Sequence, residues 1–171
     1  FEGPEVEQGG PWGYRHQFNI ADSGYGTRGP RVHNDRAGEV GRMLSADDFD
    51  FDRLFGKEGV QILHLSGLIA ALSPETSRFC LALVRAAKKY GTKICFDLNY
   101  RASFWVDREE ELRAAFTEIA SSADILVGNI SSSVALATIP VAEENDVIFI
   151  AEPAAAPQIT ADNFSPNTFR T

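Results

Sequence analysis

The chain has 171 residues, 44% of them hydrophobic, so it can bury a core of its own and does not have a disordered composition. A net charge of −8 argues against binding a nucleic-acid phosphate backbone, and no apolar run reaches the roughly 20 residues of a membrane span. The expectation is a soluble, cytoplasmic α/β chain, beginning at Phe1 rather than Met as a processed or trimmed product would.

In chain order, residues 1–59 are rich in Gly and Pro, with short candidate strands in "YRHQFNI" and "PRVHNDR" and glycine turns between them. "GTRGPR" (Gly26–Arg31) carries glycines and cations but lacks the G-x-x-x-x-G-K-[ST] spacing, so it is a weak phosphate signal. "DDFDFDRLF" reads as a docking turn built around the buried aromatics Phe49, Phe51 and Phe55, together with Leu54.

From Val60 onward, strand and helix patterns alternate. "VQILHLSG" (Val60–Gly67) is a short buried strand, in which His64 is expected to be a hydrogen-bonded core residue. Ser73 then caps a helix with Pro74 at its first position, and Cys80, Leu83, Val84 and Ala87 form one apolar face ended by Gly91. "KICFDLN" is the second strand. Asp107 and Glu110 form a D-x-x-E box opening the next helix, with Leu112, Ala115, Phe116 and Ile119 on its apolar face. "ADILVGN" (Ala123–Asn129) is the third strand. Ser131–Asn145 reads as a helix that Pro140 should kink or interrupt, and Asp146–Ala151 is the fourth strand. Cys80 and Cys95 both lie in apolar periodic segments and are expected to be buried free thiols.

This alternation implies right-handed crossovers and a parallel sheet covered by helices on both faces. Ligands of such sheets bind where the chain leaves the carboxyl ends of the strands. Here those segments are "SGLIAALS", "DLNYRASFW", "GNISSS" and "AEPAAAPQIT". Asp97, Asn99 and Arg101 therefore fall on the binding edge, where Arg101 could offer its planar fork to a phosphate or carboxylate. The alternative is an Arg101–Asp97 pair that merely stiffens a loop. His16, His33 and His64 are scattered, with no metal spacing or nucleophile motif.

The blocks "RGPRVHNDRAG", "DDFDFDRLFG", "ILHLSGLIAALSPE", "FDLNYRASFW" and "ADILVGN", in this order, resemble the middle of 2-keto-3-deoxygluconate kinases of the ribokinase-like carbohydrate kinase family, over about residues 14–129. The resemblance implies a partial ribokinase-like (Rossmann-like), mainly parallel α/β sheet flanked by helices, with an irregular β-rich amino-terminal region. It implies a sugar-acid substrate with ATP and Mg2+ as phosphoryl donor and metal. It places Arg101 near the sugar acid and the transferred phosphate, with Asn99 in the same block. Arg36 would hold the sugar acid's carboxylate, Asn34 stands where the family often has Tyr, and Leu68 matches a substrate-lining position. The family's G-A-G-D motif, with its catalytic aspartate, occurs nowhere in the chain, so poor kinase activity is expected.

From about Gly128 to Thr171 the sequence resembles instead the amino-terminal lobe of branched-chain amino-acid-type periplasmic binding proteins. That likeness implies a small-carboxylate site at Ser131, Ser132 and Ser133 and at Ala154 and Ala155, while the plainer alternative makes the serines a helix N-cap cluster. The expected organisation is a lid-like and connecting segment (1–59), a kinase-like core (60–129) and a binding-protein-like segment (130–171). It reads as a fragment or chimera whose partner is a small sugar acid or carboxylate, not nucleic acid or a membrane.

Overall fold

A computed structural model describes residues 16–35, 38–128 and 131–171. Strands β1 (Phe18–Asp22) and β2 (Arg31–Asp35) pair antiparallel as a separate hairpin. Its turn is closed by Asp22, which accepts the Gly24 amide at 2.9 Å and pairs with the Arg28 guanidinium. Arg28 also draws the Asp22 carboxyl below its ordinary value. The weak phosphate signal of "GTRGPR" thus includes a hairpin-closing ion pair.

The second sheet runs β3 (Ile62–Ser66), β4 (Lys93–Asp97), β5 (Ile125–Gly128), β6 (Ile148–Ala151) and β7 (Thr168–Arg170), in that spatial order and all parallel. The four strands expected from the sequence are present and consecutive. β7 was not anticipated, because three residues are too few to show an alternation. Helices α1 (Gly67–Leu72), α2 (Pro74–Lys89), α3 (Glu109–Ala120) and α4 (Ser132–Glu144) connect the strands. The fold is therefore α/β, a parallel sheet flanked by helices.

Ser73 caps α2 in a reciprocal box with Thr76: its hydroxyl accepts the Thr76 amide at 3.2 Å, and Thr76 Oγ1 accepts the Ser73 amide at 3.0 Å. Ser73 also donates to the Arg42 carbonyl at 2.7 Å, tying the preceding chain to the helix start. Two local expectations fail. Arg108, not Asp107, precedes α3, and no side chain caps it; Asp107 sits at φ 61°, a left-handed conformation outside the capping geometry. Pro140 lies inside α4 without interrupting it.

The core lies on one face of the sheet. Leu65, Ile94 and Phe96 pack with Phe79, Cys80, Leu83, Val84 and Ala87 of α2 and Ile119 of α3, and Phe49, Phe51 and Leu54 close over this cluster beside buried Phe55. A second cluster joins Phe149 and Ala151 to Ala135, Ile139 and Ala142 of α4. The side chains alternating to the other face, Ile62, His64, Cys95, Ile125, Val127, Ile148, Ile150 and Phe169, are exposed or half-buried. This corrects the expectation of a sheet covered on both faces: among the described residues, the helices bury their apolar faces in clusters on one side. His64 is accordingly exposed rather than in the core, with Nδ1 3.3 Å from Cys95 Sγ on the neighbouring strand. Cys80 is buried and burial pushes its thiol up to about 12, whereas Cys95 is only half-buried; both are free. No helix among the described residues is long and apolar enough to cross a membrane.

Two substitutions test this packing. A Cβ on Gly67 would lie 2.3 Å from the Leu98 carbonyl oxygen and 2.7 Å from the Phe116 ring. Gly67→Ala should therefore cost about 1–3 kcal/mol by overpacking, read as a lower urea midpoint with unchanged slope. Asp124 accepts from Lys93 Nζ at 2.6 Å and from the Ile94 amide at 2.9 Å, joining the starts of β4 and β5. Burial raises the Asp124 carboxyl, but Lys93 and the Ile94 amide together hold it below its ordinary 3.8. Its stabilisation is thus full above about pH 4 and lost as pH falls through the lower folded value. Asp124→Asn should lower stability at pH 7 and flatten its acid dependence in pH-stepped urea melts.

Candidate functional site

At the carboxyl ends of β4, β5 and β6 the chain encloses a cleft of about 490 Å³ lined by Asp97, Asn99, Tyr100, Arg101, Gly128, Ser131 and Glu152, with Val127, Val134 and Pro153 as its apolar wall. It lies where a parallel sheet offers a ligand site.

β4 ends in a turn with neither Gly nor Pro, because Asp97 supplies the closure. Its Oδ1 accepts the Asn99 amide at 3.0 Å and its Oδ2 accepts Asn99 Nδ2, also at 3.0 Å. Asn99 adopts φ 36°, a region that Asn tolerates better than most residues because its short side chain bonds locally. Leu98 continues the ladder by donating to the Val127 carbonyl at 3.0 Å. Below the turn, rings stack in sequence: Tyr100 on Trp105 at 5.2 Å, Trp105 edge-on to Phe116 at 5.0 Å, and Phe116 edge-on to core Phe96 at 5.4 Å. That column anchors the exposed loop to the core.

Arg101 is exposed and donates to the Tyr100 carbonyl at 2.9 Å, and among the described residues it has no carboxylate partner. The loop-stiffening Arg101–Asp97 pair is thus not formed; Asn99 takes that carboxylate instead, and the guanidinium remains available at the cleft. Asn99 Oδ1 is buried without a hydrogen-bond partner. Gly128 floors the cleft at φ 133°, where a Cβ would stand 3.4 Å from Asp97 Oδ1.

Of the residues singled out from sequence, the cleft unites Asp97, Asn99, Arg101 and Ser131. Leu68 is half-buried on α1 and does not line it. Asn34 lies in β2 opposite Asn19, in the separate hairpin. Arg36 and Asn129 lie outside the described residues. Ser131 precedes α4 without capping it through its side chain, and its hydroxyl lies 2.8 Å from that of Ser133. Ser132 accepts the Ala156 amide at 3.1 Å, Ala154 is buried in the second cluster, and Ala155 is exposed. The two loops expected to grip a carboxylate are therefore largely occupied with scaffold contacts. Sequence reasoning missed Glu152 and Tyr100 as lining residues; the position of Glu152, one residue past a strand end, was the available signal.

The cleft lining carries one guanidinium and two carboxylates, and no group of three or more His, Cys, Asp or Glu residues converges on a metal position among the described residues.

The fold is similar to that of a known class, the ribokinase-like sugar kinases. A PfkB family carbohydrate kinase from Listeria grayi superposes with a TM-score of 0.63 and 26% identity, over 78% of this chain and 44% of that one. In sequence, the chain is 32% identical over 94 residues to a 5-dehydro-2-deoxygluconokinase of Clostridium perfringens (55% of this chain, 26% of that protein). It is 43% identical over 49 residues to the 2-dehydro-3-deoxygluconokinase of Escherichia coli K12 (28% of this chain, 16% of that protein). Part of the chain is thus homologous to ribokinase-like carbohydrate kinases, and it spans about a quarter or less of these curated relatives. No family model matches it, and none of these similarities supports a binding-protein origin for residues 130–171.

If Asp97 holds the turn, Asp97→Ala should raise the hydrogen-exchange rate of the Asn99 amide by at least about tenfold, the worth of a charge-assisted hydrogen bond, with α2 amides unchanged.

Proposed function

We propose that the chain is a core segment of a sugar-acid kinase, of the type that phosphorylates keto-deoxy sugar acids such as 2-keto-3-deoxygluconate, and that it retains part of the acceptor site without turning substrate over alone. The observation carrying this reading is the cleft at the sheet's carboxyl edge, lined by Asn99 and by Arg101, which has no carboxylate partner among the described residues. A planar cation beside a hydrogen-bonding amide suits a ligand with an anionic oxygen and hydroxyls. In this reading the β1–β2 hairpin is the lid-like element, with Arg36 as second contact to the acid and Asn34 and Leu68 at its margin. ATP is the donor implied by the kinase relatives. No G-A-G-D aspartate exists to deprotonate the acceptor hydroxyl, which alone removes about a hundred- to ten-thousand-fold in rate.

Titration of 2-keto-3-deoxygluconate, followed by amide NMR shifts at Asn99 and Gly67, should give saturable binding in the millimolar range, about 4 kcal/mol. Arg101→Ala should weaken it about fivefold to tenfold with the fold intact. A coupled assay with Mg2+·ATP should detect no phosphorylation. Equal binding by wild type and Arg101→Ala, or robust turnover, would refute the proposal.

A further inference from the structure

Resting on the sugar-acid reading of the cleft, we propose that Glu152 determines its ligand selectivity, rejecting compact, highly charged anions such as phosphate while accepting a hydrogen bond from a ligand hydroxyl. Glu152 stands one residue past β6, and its amide follows the Gly128 carbonyl at 3.4 Å, extending the β5–β6 ladder to the edge of the cleft. Its side chain is exposed and, among the described residues, has no ion-pair or hydrogen-bond partner. Asp97, across Gly128, is the other carboxylate of the lining, and both its oxygens already accept from Asn99. Glu152 is therefore the lining carboxylate with free acceptor capacity.

The cleft's charges follow from its lining: one guanidinium, Arg101, against two carboxylates. A phosphate dianion drawn to Arg101 is repelled by a net negative surround. A monoanionic sugar acid can place its single charge at Arg101 and turn a hydroxyl donor toward Glu152. Gly128, at φ 133°, adds no side chain to the cleft floor beside Asp97 Oδ1. The lining is rich in acceptors and poor in cations, which suits a polyhydroxylated ligand with one negative end.

The test compares wild type, Glu152→Ala and Glu152→Gln by NMR titration with two probes, 2-keto-3-deoxygluconate and inorganic phosphate. Loss of the carboxylate should tighten phosphate about threefold to fivefold in both variants, because a like charge is removed near Arg101. The sugar acid should respond in the opposite direction, weakening about fivefold to tenfold in Glu152→Ala and recovering in part in Glu152→Gln, which keeps an acceptor oxygen. The proposal is overturned if both probes tighten together in Glu152→Ala, or if phosphate affinity does not change in either variant. If 2-keto-3-deoxygluconate shifts no amide of the wild-type protein, the sugar-acid reading of the cleft falls; if it binds wild type but follows phosphate across the variants, only the role given to Glu152 falls.

Discussion

The candidate site depends on one carboxylate. Asp97 ends β4 and captures both the backbone amide and the side-chain amide of Asn99, so the chain turns without glycine or proline. Closing the turn this way has two consequences. Asn99 is presented with its remaining oxygen buried and unpaired, and Asp97 is withdrawn from Arg101, leaving the guanidinium at the cleft. Gly128 of β5 lies beside this carboxylate at φ 133°, a backbone conformation that favours glycine. A single residue thus sets the loop's path and the availability of the cation.

That loop would be poorly held if it were joined only to a strand end. The Tyr100–Trp105–Phe116–Phe96 column carries it into the main cluster, each ring edge-on or tilted to the next as the aromatic quadrupole favours. Gly67 serves the same junction from the other side, letting the start of α1 pass against the Leu98 carbonyl and the Phe116 ring. Site and core therefore meet at the carboxyl edge of β3 and β4, and substitutions there affect stability and ligand geometry together.

The sheet is asymmetric. One face buries Leu65, Ile94, Phe96 and Phe149 beneath α2, α3 and α4, while the other presents Ile62, Ile148 and Phe169 exposed and pairs His64 with Cys95. Parallel sheets of α/β proteins are ordinarily covered on both faces. The similar kinase structure is more than twice as long as the part that matches this chain. On the exposed side, burial and then the Asp97 charge push the Cys95 thiol up, and its Sγ lies 3.3 Å from His64 Nδ1.

What the sequence determined by itself was the local grammar. The apolar alternation of "ILHL", "KICF", "DILV" and "VIFI", the Ser73–Pro74 helix start and the apolar face of α2 are short-range signals, and each appears as an element close to its expected bounds. They sufficed for an α/β fold with consecutive parallel strands, and with the strand order came the edge on which Asn99 and Arg101 meet. What only the tertiary structure decided was everything that depends on which residues face each other across the chain. The Asp107 cap fails because its backbone is turned left-handed, Pro140 does not interrupt α4, and His64 is exposed because the helices pack across the other face. Asn99 rather than Arg101 takes Asp97, and Glu152 enters the cleft from a strand 55 residues away in sequence from Asp97. Periodicity within a strand records that its two faces alternate; which face meets the helices is set by long-range packing, which no local pattern encodes.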